Sequence, residues 1–263
     1  MTDKKQNEKT EQFFKDIEIE FLIHELKDPI SIIETGARML IEKQARFGPL
    51  LPRQEKTLTR IVRNARKARE MLYSLLEVGR AESGSFICNK FMPDYASYHV
   101  LVNCLEIQAP PIADSLGEYT EKSRLLEYLS SQGIYFKVAP DVQELEMLQD
   151  ETKFRQILSN LIKNALHFRQ KRFQLILSLQ KENLVVEVRD DGPGIPPEHH
   201  QNIFKRYTQI KECTLTARSG HGLGLAGARI MARCLGGEID ISSKIGEGTA
   251  FRLTMPIQLT ADS

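Results

Sequence analysis

Val188-Arg-Asp-Asp-Gly-Pro-Gly-Ile195 closes an apolar strand on an acid and turns at once through Gly-Pro-Gly. Glycines at 192 and 194 let a flat ligand approach the backbone, and a carboxylate at Asp190 can accept from an exocyclic amine. An ordinary tight turn explains Asp-Gly-Pro-Gly nearly as well. The decision falls to what flanks it.

Upstream lies Asp150-Glu-Thr-Lys-Phe-Arg-Gln-Ile-Leu-Ser-Asn-Leu-Ile-Lys-Asn-Ala-Leu-His167. Phe154, Ile157, Leu158, Leu161, Ile162 and Ala165 recur at helical spacing and predict one buried face. Asn160 and Asn164, one turn apart, share another face. Asparagine is a poor helix-interior residue, so a pair on one stripe suggests a task such as holding a hydrated cation; by itself a plain surface pair is an equal reading. Downstream lies Ser219-Gly-His-Gly-Leu-Gly-Leu-Ala-Gly-Ala-Arg-Ile-Met231. Gly220, Gly222 and Gly224 lead into a helix whose first turn offers free N–H groups, an anion site by geometry and dipole. No Gly-Lys-Ser/Thr follows and the GxGxxG spacing is absent, so neither a P-loop nor a dinucleotide fold is indicated. Lys205–Arg218, polar and aperiodic, has the texture of a lid.

The first 85 residues are different. Ile19, Ile23, Leu26, Ile30, Ile33, Ala37 and Leu40 alternate in steps of four and three. Leu58, Ile61, Ala65, Ala68, Leu72, Leu75 and Gly79 repeat the pattern beyond a break at Gly48, Pro49 and Pro52. These are heptad seams of a two-helix hairpin. Two helices enclose little core, so a homodimer forming a four-helix bundle is expected; folding of the hairpin onto the rest of the chain is the competing arrangement. The basic run Arg60–Arg69 reads as a solvated face or a docking surface for an acidic partner. On the first helix, Phe21-Leu-Ile-His-Glu-Leu-Lys-Asp-Pro-Ile30 sets His24 beside Glu25, on the flank of the seam. A bare surface histidine would look the same.

Strands are predicted near Phe86–Phe91, Ile134–Val138, Phe173–Gln180, Asn183–Asp190, Gly237–Ser242 and Thr249–Met255. Helices fit near Asp94–Gln108, Glu151–His167 and Leu223–Leu235. Strands in groups without regular βαβ alternation predict an α+β sandwich. Ala109–Gln132 reads as a helical insertion. With 263 residues and 41% hydrophobic residues the chain can hold two modest domains, and a net charge of +1 gives no global case for nucleic acid or an anionic membrane. Four cysteines without regular spacing argue against a metal cluster or disulfide framework. No apolar run approaches membrane-spanning length and no signal peptide opens the chain, so a cytoplasmic protein is expected.

In this order the clusters resemble the N, G1, F and G2 boxes of the GHKL ATPases, Ile203-Phe-Lys-Arg-Tyr207 resembling the F box. With the His-Glu hairpin the chain resembles the sensor histidine kinases of two-component systems over roughly residues 10 to 257. The resemblance implies a polar tail (1–12), a dimerisation and histidine-phosphotransfer hairpin (13–85) and a catalytic ATP-binding domain of the GHKL (Bergerat) type (86–263). It implies that His24 is phosphorylated with Glu25 as proton acceptor, and that Asn164 ligates Mg²⁺ with Asn160 beside the phosphates. Asp190 would read adenine, Gly192 and Gly194 would shape its pocket, Gly220, Gly222 and Gly224 would cradle phosphates, and Thr249 would support adenine binding. The implied partners are a second copy, a response-regulator receiver domain and an upstream sensory protein. A non-catalytic ATP-binding dimer that sequesters a partner is the alternative reading.

Several residues depart from the family's pattern. Ile23 precedes the histidine where a small polar residue is frequent, and His167 stands where lysine is common. Asp28 occupies the position four after His24 where Thr or Asn is usual. An ionised carboxylate there would repel a phosphoryl group, so weak phosphatase activity toward the regulator is expected.

Overall fold

In the computed structural model, residues 25–82, 86–204 (except 110, 113–115, 117, 118 and 120) and 224–259 are described. They fall into two compact units, 25–82 and the remainder from Phe86 onward, each treated by itself below.

The first unit is a helical hairpin. Helix α1 (25–42) continues through Pro29, α2 is the short Gln44–Phe47, and α3 is Pro52–Glu82. Gly48 at φ 89° makes the reversal in a conformation that L side chains rarely adopt, and Pro52 opens α3 at the position where its missing N–H costs nothing. The seam divides. Ala37 and Ala65 are buried as expected, together with Val62, whereas Leu26, Ile33 and Ile61 stay exposed in the single chain. The hairpin interior also contains an unexpected residue, Glu34, only 2% exposed. Arg66 Nε reaches its carboxylate at 3.0 Å, Arg69 Nη1 at 2.5 Å and Arg38 Nη2 at 3.6 Å. The basic run on α3 is therefore not simply a solvated face: two of its arginines cross the hairpin to α1.

The second unit is a two-layer α+β sandwich. A mixed sheet runs in the order β2 (Ile134–Val138), β4 (Phe173–Gln180), β5 (Asn183–Asp190), β7 (Gly248–Pro256), β6 (Glu238–Lys244). Only β2 and β4 are parallel; the other pairs are antiparallel. The bounds of β2, β4 and β5 are those expected from the sequence. A small antiparallel pair joins β1 (Asn89–Phe91), shorter than expected, to β3 (Met147–Gln149), which was not anticipated. Helices α4 (Pro93–Gln108), α5 (Lys122–Ser131), α6 (Glu151–Phe168) and α7 (Gly224–Cys234) complete the unit. Helix α5 lies inside the expected helical insertion.

Period-two alternation puts Leu184, Val186 and Val188 of β5 on the same buried face as Phe251, Leu253 and Met255 of β7. The predicted face of α6, from Phe154 to Ala165, is 0% exposed throughout. Each of its Phe, Ile and Leu side chains contributes about 1.5–3 kcal/mol by leaving water. Asp150 caps α6 by accepting from Lys153 N at 3.0 Å, and the same carboxylate accepts from Ile87 N at 3.1 Å. Ala226, Gly227 and Ala228 are buried on α7, small enough for close approach to α6.

Candidate functional site

The alternation that buries Val188 also sends the next inward position, Asp190, beneath the helix layer. It is the last residue of β5 and pairs across the sheet with Thr249, the second residue of β7. Thr249 in turn pairs with Ser243 on β6. Three polar side chains therefore sit side by side across three strands at one end of the sheet. Ser243 Oγ ties them: it donates to Gly248 O at 2.8 Å, lies 2.9 Å from Thr249 Oγ1 and accepts from Ile195 N at 2.8 Å. Sequence reasoning missed Ser243, because a serine in a strand carries no signal until register is known.

Asp190 is 8% exposed. Its Oδ1 accepts from Gly192 N at 2.9 Å, and the Thr249 backbone N–H also donates to the carboxylate. Among the described residues no cation pairs with it. Burial therefore prevails: the carboxyl is pushed up from 3.8 to about 6, the repulsion of Asp191 adding to the rise while the two N–H groups oppose it. Asp191 differs although it is next in sequence. It is also desolvated, but accepts from Gln170 N at 2.8 Å and Lys171 N at 3.0 Å, and these backbone bonds hold it below the ordinary range. Asp191 fastens the α6–β4 loop, whereas the buried Asp190 carboxylate keeps hydrogen-bonding capacity to spare.

The glycines around Asp190 are required sterically. A Cβ on Gly194 (φ 74°) would lie 2.0 Å from Lys244 O, and one on Gly248 (φ 94°) 2.0 Å from Asp190 O. At Gly192 it would meet Phe168 O at 2.6 Å and Asp190 Oδ1 at 2.7 Å. The glycines bring the turn after β5, the β6–β7 hairpin and the end of α6 together around the carboxylate.

The asparagine pair is in the same unit. Asn160 and Asn164 are half-buried on α6, and Gly224 at the start of α7 comes so near that a Cβ there would be 3.4 Å from Asn160 Oδ1. The structure thus brings Asn160 and Gly224 together, and Asp190, Gly192, Gly194 and Thr249 together. Glu25 is exposed on α1 of the other unit. His24, Gly220, Gly222, His221 and the polar segment 205–218 lie outside the described residues. Of the expected F box, Ile203 is buried and Phe204 is anchored on both sides: Phe251 lies edge-on at 6.3 Å, and the Arg229 guanidinium sits 4.6 Å over its ring. Glu238 holds that arginine at 2.7 Å. His200 is half-buried, and its Nε2–H donates to Ile195 O at 2.9 Å. Among the described residues no group of three or more His, Cys, Asp or Glu could hold a metal ion, and no helix is long and apolar enough to cross a membrane.

Comparison with known proteins agrees with this geometry. Residues 149–259 match the family model of histidine kinase-, DNA gyrase B-, and HSP90-like ATPases. The circadian input-output histidine kinase CikA of Synechococcus elongatus is 27% identical over 237 residues, 89% of this chain and 29% of CikA. The sensor histidine kinase YkoH of Bacillus subtilis is 27% identical over 247 residues, 94% of this chain and 48% of YkoH. This chain spans less than half the length of either. Among solved structures, full-length ShkA in complex with AMPPNP superposes with a TM-score of 0.65 at 21% identity, covering 91% of this chain and 45% of ShkA, a likeness of fold. Sequence, sheet order and site geometry converge: residues 149–259 match the GHKL type of ATPase domain, and over about nine-tenths of its length the chain is similar to histidine kinases.

Proposed function

We propose that this chain is an ATP-dependent protein-histidine kinase that phosphorylates its own His24 and passes the phosphoryl group to an aspartate of a response-regulator receiver domain. The observation that carries the proposal is Asp190, a deeply buried carboxylate without a cation partner among the described residues and bounded by glycines. The adenine amine, by donating a hydrogen bond, satisfies such a group, whose charged form burial otherwise disfavours.

In this reading residues 86–263 are the ATP-binding domain and residues 13–85 the dimerisation and phosphotransfer hairpin. Asp190 accepts from the adenine amine, Thr249 and Ser243 fix that end of the sheet, and Gly192 and Gly194 keep the pocket open to a flat base. Asn164 offers a neutral carboxamide oxygen, a hard donor suited to Mg²⁺ whose charge balance comes from the nucleotide's phosphates, and Asn160 lies beside those phosphates. When bound, Mg²⁺ neutralises the charge that develops on the transferred phosphoryl group. Gly220, Gly222 and Gly224 direct backbone N–H groups at the phosphates. Glu25 orients His24 and takes its departing proton, leaving the other imidazole nitrogen to attack in line. Leu26, Ile33 and Ile61, apolar and exposed in one chain, are the face that a second copy covers in a four-helix bundle. Asp28 is exposed on α1, and its negative charge disfavours dephosphorylation of the regulator.

Incubation with γ-labelled ATP and Mg²⁺ tests this reading. The expected product carries an acid-labile, alkali-stable label, lost in His24→Gln. Label that persists in His24→Gln refutes histidine phosphorylation at this site; no label in either protein points instead to an ATP-binding dimer that sequesters its partner. For the regulator, slow dephosphorylation is expected from the native chain. Efficient dephosphorylation that Asp28→Ala abolishes would show that Asp28 helps rather than hinders.

A further inference from the structure

The second unit holds a polar groove of about 660 Å³, and none of its lining residues belongs to the site around Asp190. It lies between the end of α5, the edge strand β2 and the loop that joins α6 to β4. Lys137, Arg169, Lys171 and Arg172 line it, and no carboxylate does. Among the described residues none of the four forms a salt bridge.

Cations at helix C-termini ordinarily answer the helix dipole, and here both α5 and α6 end at the groove. Magnitudes decide whether that is sufficient. Each C-terminus carries roughly half a negative charge, so the two together offset about one of the four cations. Asp191, fastened to Gln170 N and Lys171 N, offsets a second. About two positive charges remain without a counter-charge. Arg169 shows the consequence: it is half-buried, its one hydrogen bond of note is a 3.4 Å contact to Gln132 O, and burial pulls its pKa below the ordinary value with only Asp191 opposing. Arg172 lies over the Tyr135 ring at 5.4 Å, which presets its orientation. Two guanidinium forks and two ammonium groups around a polar hollow suit tetrahedral oxyanions. The volume falls within the range of small-molecule sites, and the charged side chains that line it are all cations.

We propose that this groove is a second anion site, separate from the Asp190 pocket, that binds a small oligophosphate: a di- or triphosphate group, either free or carried by a nucleotide. The test is titration calorimetry of the full chain with tripolyphosphate and with inosine triphosphate, which lacks the exocyclic amine that Asp190 would read. Both are expected to bind; equal affinities assign recognition to the phosphates alone, and tighter binding of inosine triphosphate adds a contact to the nucleoside. The exposed triple variant Lys137→Ala, Lys171→Ala, Arg172→Ala is expected to lose roughly tenfold or more in tripolyphosphate affinity while keeping its affinity for ADP, which also reports that it has folded. If the triple variant does not fold, Lys137→Ala alone on the edge strand is expected to lose severalfold. No binding by the native chain, or unchanged tripolyphosphate affinity in the folded variant, overturns the proposal. So does a poly-glutamate peptide that binds the groove more tightly than tripolyphosphate.

Discussion

Two buried carboxylates, one in each unit, have opposite electrostatics; a third, Asp150, is spent on capping α6 and pairing with Lys153. Glu34 in the hairpin is 2% exposed and Asp190 in the sandwich 8%. Three arginines surround Glu34, and its pKa lies below the ordinary value, the Arg66 hydrogen bond outweighing desolvation. Asp190 has two backbone N–H groups and, among the described residues, no cation, and its pKa rises to about 6. The covering differs in kind. A two-helix hairpin is thin, so Glu34 is shielded from water by the arginines themselves, which still face solvent. Asp190 lies under a helix layer, where the medium is poorly polarisable. A carboxylate whose cationic partners are built into the chain is structural; one buried without a cation is the one we propose receives a ligand.

The largest expected effect falls on Asp190→Asn. Losing a charge-assisted hydrogen bond worth about 1.5–3 kcal/mol lowers ATP and ADP affinity by roughly 10- to 150-fold, measured by calorimetry. The same substitution should stabilise the nucleotide-free chain. The folded pKa of Asp190 is raised above its ordinary value of 3.8, so ionisation opposes folding. The contribution of Asp190 to stability is most favourable below about pH 4, falls as pH rises through about 6 and is then level, lower by up to about 3 kcal/mol, and is read as the difference between the native chain and Asp190→Asn. Urea midpoints of the two proteins across this range should trace that difference.

Glu34→Gln reverses both signs. It is expected to destabilise the hairpin by about 1–2 kcal/mol, a modest value because its arginines are 35–51% exposed, and to leave nucleotide affinity unchanged. Glu34 has a folded pKa below 4.5, so its contribution is present above 4.5 and fades as pH falls through the folded value. Loss of nucleotide binding in Glu34→Gln would break the contrast. The smallest change is Ser243→Ala, which removes a hydroxyl that joins Ile195 N, Gly248 O and Thr249. About 1 kcal/mol of stability is expected to go, with a few-fold loss of nucleotide affinity.

The contrast also explains what was legible in the sequence. Asp190 could be found because local rules mark it: an alternating strand, an acid at its end and glycines directly after. The bounds of β4 and β5 followed from the same alternation, and the buried face of α6 from helical spacing. Glu34 could not be found. It is one of many charged residues in a heptad pattern, and its main partners are 32 and 35 positions away, so only the hairpin register brings them to it. Ser243 was hidden for the same reason, and β3 because three residues are too few to show a period. The exposed faces of Leu26, Ile33 and Ile61 were legible as apolar seam, though not as the part that one chain leaves uncovered.

Proton release on nucleotide binding is the most direct test that Asp190 awaits adenine. If the amine binds the ionised carboxylate, ADP binding at pH 5.5 must expel the proton that Asp190 holds there, and at pH 8 there is none to expel. Calorimetry in buffers of different ionisation enthalpy is predicted to find most of a proton released by the native chain at pH 5.5, beyond that released by Asp190→Asn, and no difference between the two at pH 8. Equal proton counts for the two proteins at pH 5.5, with equal ADP affinity, would contradict the account.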